Sequence, residues 1–196
     1  MATVAVLQQT EVGAGYILAR KAQGFEAAGA ESCSVTAPAP ALTTKDHVYI
    51  GPMFKNSDGT RYLYSEGYAF RTEELAARFV ALRSSAPYQR CKEKQDDEAQ
   101  RQRTPANYVK LAEVSFSDPT GHIPAIYREV AGGPNSAGKK VEAAVYDRFT
   151  FQHGRVVVVL SIDTSVSGTR SRSIEARTLA TLRSFDKALD SRLAGA

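Results

Sequence analysis

The sequence predicts an α+β domain in which a mainly antiparallel, twisted sheet is flanked by helices. Three observations lead there. Strand-like runs are joined by turns too tight for a helical crossover, at Asn56-Ser57-Asp58-Gly59 and at His153-Gly154. Val156–Leu160 reads VVVVL, apolar on both sides, so that strand should be central and covered on both faces. Two further segments, one opened by Thr72-Glu73-Glu74 and one closing the chain, repeat apolar residues at helical spacing. At 196 residues the chain reads as a single domain, residues 1–196, long enough to bury a core.

The elements follow in order. Val4–Gln9 is a short amphipathic helix candidate, ended by Gly13-Ala14-Gly15, and Tyr16–Lys21 is a short strand. From Gly24 to Asp46 the composition turns to Ala, Ser, Pro and Thr, which predicts loop; Pro38 and Pro40 exclude a central strand. Val48–Lys55 and Arg61–Phe70 are strands joined by the NSDG turn. Thr72 is the expected N-cap of a helix whose first-turn acids suit the helix dipole. That helix should stop before Pro87. Lys92–Arg103, KEKQDDEAQRQR, is a mixed-charge run expected as a solvated loop or frayed helix. Tyr108–Phe116, Ile123–Val130, Lys140–Gln152 and Arg155–Thr164 are four strand candidates, with Gly132-Gly133-Pro134-Asn135 joining the second to the third. A helix from about Ser171 to Arg192 carries Ile174, Leu179, Leu182, Phe185 and Leu189 as its core stripe.

Composition removes several function classes. The formal charge is +4, from 25 basic and 21 acidic residues interleaved along the chain. A nucleic-acid reader concentrates its cations in a patch, so no nucleic-acid partner is expected. No run approaches ~18 apolar residues, so no integral membrane segment is predicted. MATVAVLQQTEV has no positive n-region, no long apolar core and no small-residue cleavage site. If Met1 is the native start, the expected location is cytoplasmic. If the chain is cut from a longer one, it is an extracytoplasmic lipoprotein domain. The two cysteines, Cys33 and Cys91, fit no metal spacing. They are either two buried thiols or one disulfide, worth about 3–4 kcal/mol if unstrained.

Several stretches together resemble a known family. VLQQTEVGAGY resembles the opening of actinobacterial extracytoplasmic lipoprotein and sensor domains, where a short leucine-containing helix precedes a glycine-rich turn. SEGYAFRTEELAARFVALRSSAPYQRC resembles their strand–helix–cysteine segment, and RVVVVLSIDTS with the closing helix resembles their last strand and helix. The family includes external sensor domains of mycobacterial-type serine/threonine kinases. The resemblance implies a PsbP-like fold with a cleft over the sheet for a small or lipid-like ligand. It also places Cys33 and Cys91 where one disulfide of such domains falls.

No catalytic template is present. G-x-S-x-G, a local Cys–His pair, the phosphate loop and the dinucleotide fingerprint are all absent from the sequence. His47, His122 and His153 sit in separate turn-like segments without metal spacing and read as surface histidines. No metal and no organic cofactor is expected. What stands out is acid on apolar strand faces. YLYSEGYAF aligns Tyr62, Tyr64, Glu66, Tyr68 and Phe70 on one face. Tyr127 and Glu129 share another face, and Val145, Asp147, Phe149 and Phe151 a third. Such a carboxylate must find a partner or take up a proton. Either these acids sit in cross-strand Glu–Arg or Tyr–carboxylate pairs, or they form the polar end of an aromatic-lined pocket.

The pocket reading predicts that a hydrophobic, oxygenated small molecule is the partner. Glu66, Asp147 and Tyr68 are the candidate catalytic groups. Tyr62, Tyr64, Tyr127, Glu129, Tyr146 and Phe149 are the candidate ligand-binding residues. The expected activity is a cofactor-independent cyclase or isomerase on a polyketide-like natural product, in which holding a reactive conformer supplies much of the acceleration. The alternative is a non-catalytic extracytoplasmic ligand-binding or sensor domain using the same cleft. A structural adaptor without a pocket is a third reading. The sequence leaves the oligomeric state open.

Overall fold

Among the described residues eight strands form a single sheet: Tyr16–Arg20 (β1), Gly24–Ala27 (β2), His47–Asn56 (β3), Arg61–Ala69 (β4), Val109–Glu113 (β5), Ala125–Pro134 (β6), Lys140–His153 (β7) and Val156–Ser165 (β8). Among the described residues three α-helices accompany them, Glu73–Ser84 (α1), Ala86–Arg103 (α2) and Arg172–Ala194 (α3). The computed structural model describes residues 6–27, 47–103, 109–113, 125–134, 137–138, 140–166 and 172–194. The sheet order is β1-β3-β4-β8-β7-β6-β5, with β2 also on β3, and every pairing is antiparallel. The protein is thus an α+β fold.

The two tight hairpins have local causes. At the β3–β4 turn Gly59 adopts φ 69°, Asp58 Oδ1 accepts from Thr60 N at 2.9 Å, and Asn56 Oδ1 accepts from Arg61 N at 2.8 Å. At the β7–β8 turn His153 pairs with Val156 across a two-residue loop that places Gly154 first, at φ 55°. That turn aligns β7 against β8, and Val156–Ile162 is buried throughout, as VVVVL predicts.

Alternation then sorts β4, β7 and β8 onto two faces. One face packs against α3. Leu63, Phe149, Phe151, Leu160, Ile162 and Phe54 meet Leu182, Phe185 and Leu189 there in the largest core cluster. Each such side chain, taken from water, contributes on the order of 1.5–3 kcal/mol. The other face packs against α1, where Phe70, Ala76, Phe79, Val80 and Val157 cluster. Thr72 caps α1 by accepting from Leu75 N at 3.2 Å. Ser85, in extended backbone, ends it.

Several expectations need correction. Of the loop and the helix expected for the mixed-charge run, the helix is adopted: α2 continues through Arg103. Residues 88–103 contain no glycine or proline and are rich in strong helix formers, while Pro87 sits in the first turn, where its missing N–H costs least. Gly24–Ala27 is a strand on β3, not loop. Gly132-Gly133-Pro134 is strand, because Gly132 and Gly133 pair with Glu142 and Val141. Of the opening helix expected over Val4–Gln9, residues 4 and 5 lie outside the described residues, Val6–Gln8 is not helical, and a short 3-10 turn follows at Gln9–Glu11 with a Gln8–Glu11 capping box. Leu7 N donates to Ser65 Oγ at 2.7 Å, so this backbone donor is spent on the sheet rather than on a helix.

That opening segment is wedged tightly. A Cβ at Gly51 would stand 2.9 Å from both Ser65 O and Val6 Cβ. Arg192 of α3 holds the segment from the other side, donating to Val6 O at 2.7 Å and reaching Glu11 Oε1 at 3.2 Å. Cys91, on α2, is disulfide-bonded. Cys33, the chain's other cysteine, lies outside the described residues.

Candidate functional site

The β-ladder register builds one patch on the α1 side of the sheet. Across β4, β8 and β7 the rows are Tyr62, Asp163 and Tyr146; then Tyr64, Ser161 and Arg148; then Glu66, Val159 and Thr150; then Tyr68, Val157 and Gln152. Val157, Val159 and Ser161 on the central strand are buried and make the floor. The tyrosines, Glu66, Arg148 and Asp163 are half-buried around it. α1 closes one end, where Phe79 lies 4.9 Å from the Tyr68 ring.

Charge in the patch is paired. Tyr68 donates its hydroxyl to Glu66 Oε2 at 2.7 Å, two residues apart on one strand face. The acid at the centre of YLYSEGYAF therefore belongs to a Tyr–carboxylate pair. Arg148 Nη1 reaches Asp163 Oδ1 at 2.5 Å and also donates to the Asp147 backbone carbonyl at 3.0 Å. Its guanidinium lies 5.5 Å from the centre of the Tyr64 ring and 6.0 Å from that of Tyr146, within cation–π range. The Tyr64 phenol is pushed above its ordinary value mainly by burial. Asp163 and Glu66 push the same way, while Arg148 and a hydrogen bond with Ser161 oppose. Tyr64 therefore stays a neutral phenol in a field of alternating charges.

Five predicted site residues come together here: Tyr62, Tyr64, Glu66, Tyr68 and Tyr146. In the β6–β7 ladder Tyr127 pairs with Arg148 and Glu129 with Tyr146. Asp147 and Phe149 do not join them. The register places both on the α3 face, in line with Ile162 and Leu160, and both are 0% exposed. The expectation that the three acids meet in one cleft fails for Asp147, because it is one residue out of phase with Tyr146 and Arg148. Phe149 fills the main core instead of lining the patch.

Arg148 was legible only as a possible partner for an acid on a neighbouring strand, which Asp163 on β8 proves to be; Asp163 and Ser161 were not singled out by the sequence. A signal existed. The turn that pairs His153 with Val156 fixes, by counting back, Arg148 against Ser161 and Tyr146 against Asp163. His153 also departs from expectation. Its Nδ1 lies 2.8 Å from Asp190 Oδ1 and its Nε2 4.0 Å from Asp186 Oδ1, in the seam with α3. His47 opens β3, and His122 lies outside the described residues. Among the described residues, no group of three or more His, Cys, Asp or Glu side chains could hold a metal ion. Among the same residues, no helix is long and apolar enough to cross a membrane.

Fold and patch together define an α+β protein with an antiparallel sheet, helices on both faces, and a half-buried aromatic and charged surface beside α1. Its likeness among solved structures includes the extracellular domain of PknH from Mycobacterium tuberculosis, at 12% identity and a TM-score of 0.42, over 95% of this chain and 94% of that one. No family model and no curated protein matches the chain.

Proposed function

We propose that this chain is a non-catalytic binding domain that takes a hydrophobic, oxygenated small molecule against the α1-side patch. The observation that carries the reading is Arg148, set between the Tyr64 and Tyr146 rings and anchored by Asp163. Flat aromatic walls over an apolar floor, with a few fixed donors and acceptors, are the usual build of a small-molecule site. A cyclase or isomerase would need its polar groups at one reacting centre. Glu66 and Asp147 stand on opposite faces of the sheet, which favours binding over catalysis. The disulfide at Cys91 supports an oxidising, extracytoplasmic location.

The test uses prodan, a neutral naphthalene ketone whose emission shifts to the blue in apolar surroundings. The chain has no tryptophan to interfere. Saturable blue-shifted binding is expected, weakened about tenfold by Arg148→Met or Tyr64→Ala, equivalent to about 1.4 kcal/mol. Equal binding by the wild type and both variants would reject the site. Native mass spectrometry of the protein from its own host would then identify the natural occupant.

A further inference from the structure

At the edge of the sheet, β1 leaves apolar side chains in water. Among the described residues β1 pairs only with β3, and Ile17–Gln23 is exposed throughout. Ile17 and Leu18 are 53% and 47% exposed, the large hydrophobic side chains left open to solvent among those residues. One exposed leucine needs no explanation. These two are neighbours, and they cover both sides of one edge: Ile17 lies on the Lys55 side of the sheet and Leu18 on the Phe54 side. Their surroundings are cationic. Arg20 and Lys21 follow directly, and Ile17–Gln23 contains no acid. Lys55 is the ladder partner of Ile17. Arg177 of α3 acts through space on both the Tyr16 phenol and Asp58, so it stands at the start of the same strand. The acids on this side are engaged. Asp58 accepts from Thr60 N at 2.9 Å and Thr60 Oγ1 at 2.6 Å, and Glu11 of the adjoining 3-10 turn meets Arg192.

This edge is poorly made for another strand. Gly15 O accepts from Ser57 N on the β3 side, so the next carbonyl, Tyr16 O, faces outward. Gln9 Nε2 donates to that carbonyl at 3.1 Å and closes it. Ala19 is an extra residue between the Leu18–Phe54 and Arg20–Met53 pairs, a bulge that bends the strand. Bulges and edge cations are devices that keep strands from pairing edge to edge. An apolar tip framed by cations suits a flat boundary that is apolar inside and anionic outside.

We propose that β1 docks this protein on an anionic lipid bilayer, with Ile17 and Leu18 entering the headgroup–acyl boundary and Arg20, Lys21 and Arg177 meeting lipid phosphates. The contact is shallow, because two apolar side chains enter and no helix does. Binding therefore needs both the apolar pair and the lipid charge, and it is reversible and weakened by salt. It is independent of the α1-side patch.

The test is sedimentation of the full chain with sucrose-loaded vesicles made of equal parts phosphatidylcholine and phosphatidylglycerol, against vesicles of phosphatidylcholine alone. Binding to the anionic vesicles is expected, about tenfold weaker on the neutral ones and lost in about 0.5 M sodium chloride. Ile17→Ser/Leu18→Ser and Arg20→Ser/Lys21→Ser should each weaken it about fivefold or more. All four positions are exposed, so both variants should keep the wild-type Tm. The chain has no tryptophan, so Leu18→Trp supplies a lone reporter. Its emission should shift to the blue on anionic vesicles and be quenched by brominated acyl chains. Equal binding by the wild type and both double variants, or a reporter that stays unquenched, overturns the proposal. A dimer formed without lipid and lost in Leu18→Ser assigns the edge to a second copy of the chain and overturns it as well.

Discussion

Replacing Arg148 by methionine keeps the apolar stem and removes the guanidinium. The structure assigns that group one half-buried ion pair, two aromatic contacts and a hydrogen bond to the Asp147 carbonyl that water can replace at this exposure. The pair is worth about 1 kcal/mol at this exposure, and each ring about 0.5 kcal/mol. Arg148→Met should therefore lose about 2 kcal/mol, seen as a Tm lowered by about 4–8 °C for a chain of this length. Asp163→Asn alone should lose about 1 kcal/mol. The double variant should resemble Arg148→Met, because the bond is already gone, giving a coupling of about 1 kcal/mol. Urea unfolding of the four proteins measures each value. Additive losses, with coupling within about 0.3 kcal/mol of zero, would refute the claim that this pair organises the patch.

Two further outcomes are expected. Gly51→Ala places a methyl 2.9 Å from both Ser65 O and Val6 Cβ, and should lose about 1–3 kcal/mol in urea unfolding and weaken amide-exchange protection at Leu7. Tyr16 and Tyr64 both have phenols raised above 10.0, chiefly by burial. The folded chain then keeps protons that the unfolded chain releases, so stability is full below pH ~10 and falls as pH rises beyond it. Unfolding free energies from about pH 9 to about pH 11 should show this decline, and a Tyr16→Phe/Tyr64→Phe chain should show less of it.

Most of the sheet could be read from residues because its signals are local. NSDG and His-Gly fix hairpins within a few residues, and VVVVL, β-branched and following a tight turn, reads as a strand covered on both faces. Thr72 announces α1 through a cap that the structure keeps. What escaped depends on distant partners. Gly24–Ala27 carries no strand pattern of its own and becomes a strand because β3 extends far enough to pair with it. The KEKQDDEAQRQR run has helix-forming residues but no apolar stripe, so propensity alone decided it. The patch was half legible. Alternation gave Tyr62, Tyr64, Glu66 and Tyr68 one face, but the β4–β8 pairing that sets them beside Ser161 and Asp163 joins strands almost a hundred residues apart. Asp147 illustrates the limit. Period two already separates it from Tyr146 and Arg148 on β7; which of those two faces joins the tyrosines of β4 is set only by the β7–β8–β4 pairing.

Arg192 has a mechanical consequence. It ties Val6 and Glu11, near the first described residues, to the last turns of α3. The two ends of the described chain are thus anchored at one pole. A pull between them would load two guanidinium contacts before any rung of the β-ladders. Those contacts act as a fuse: they can part and re-form while the sheet, with both of its helical coverings, stays whole.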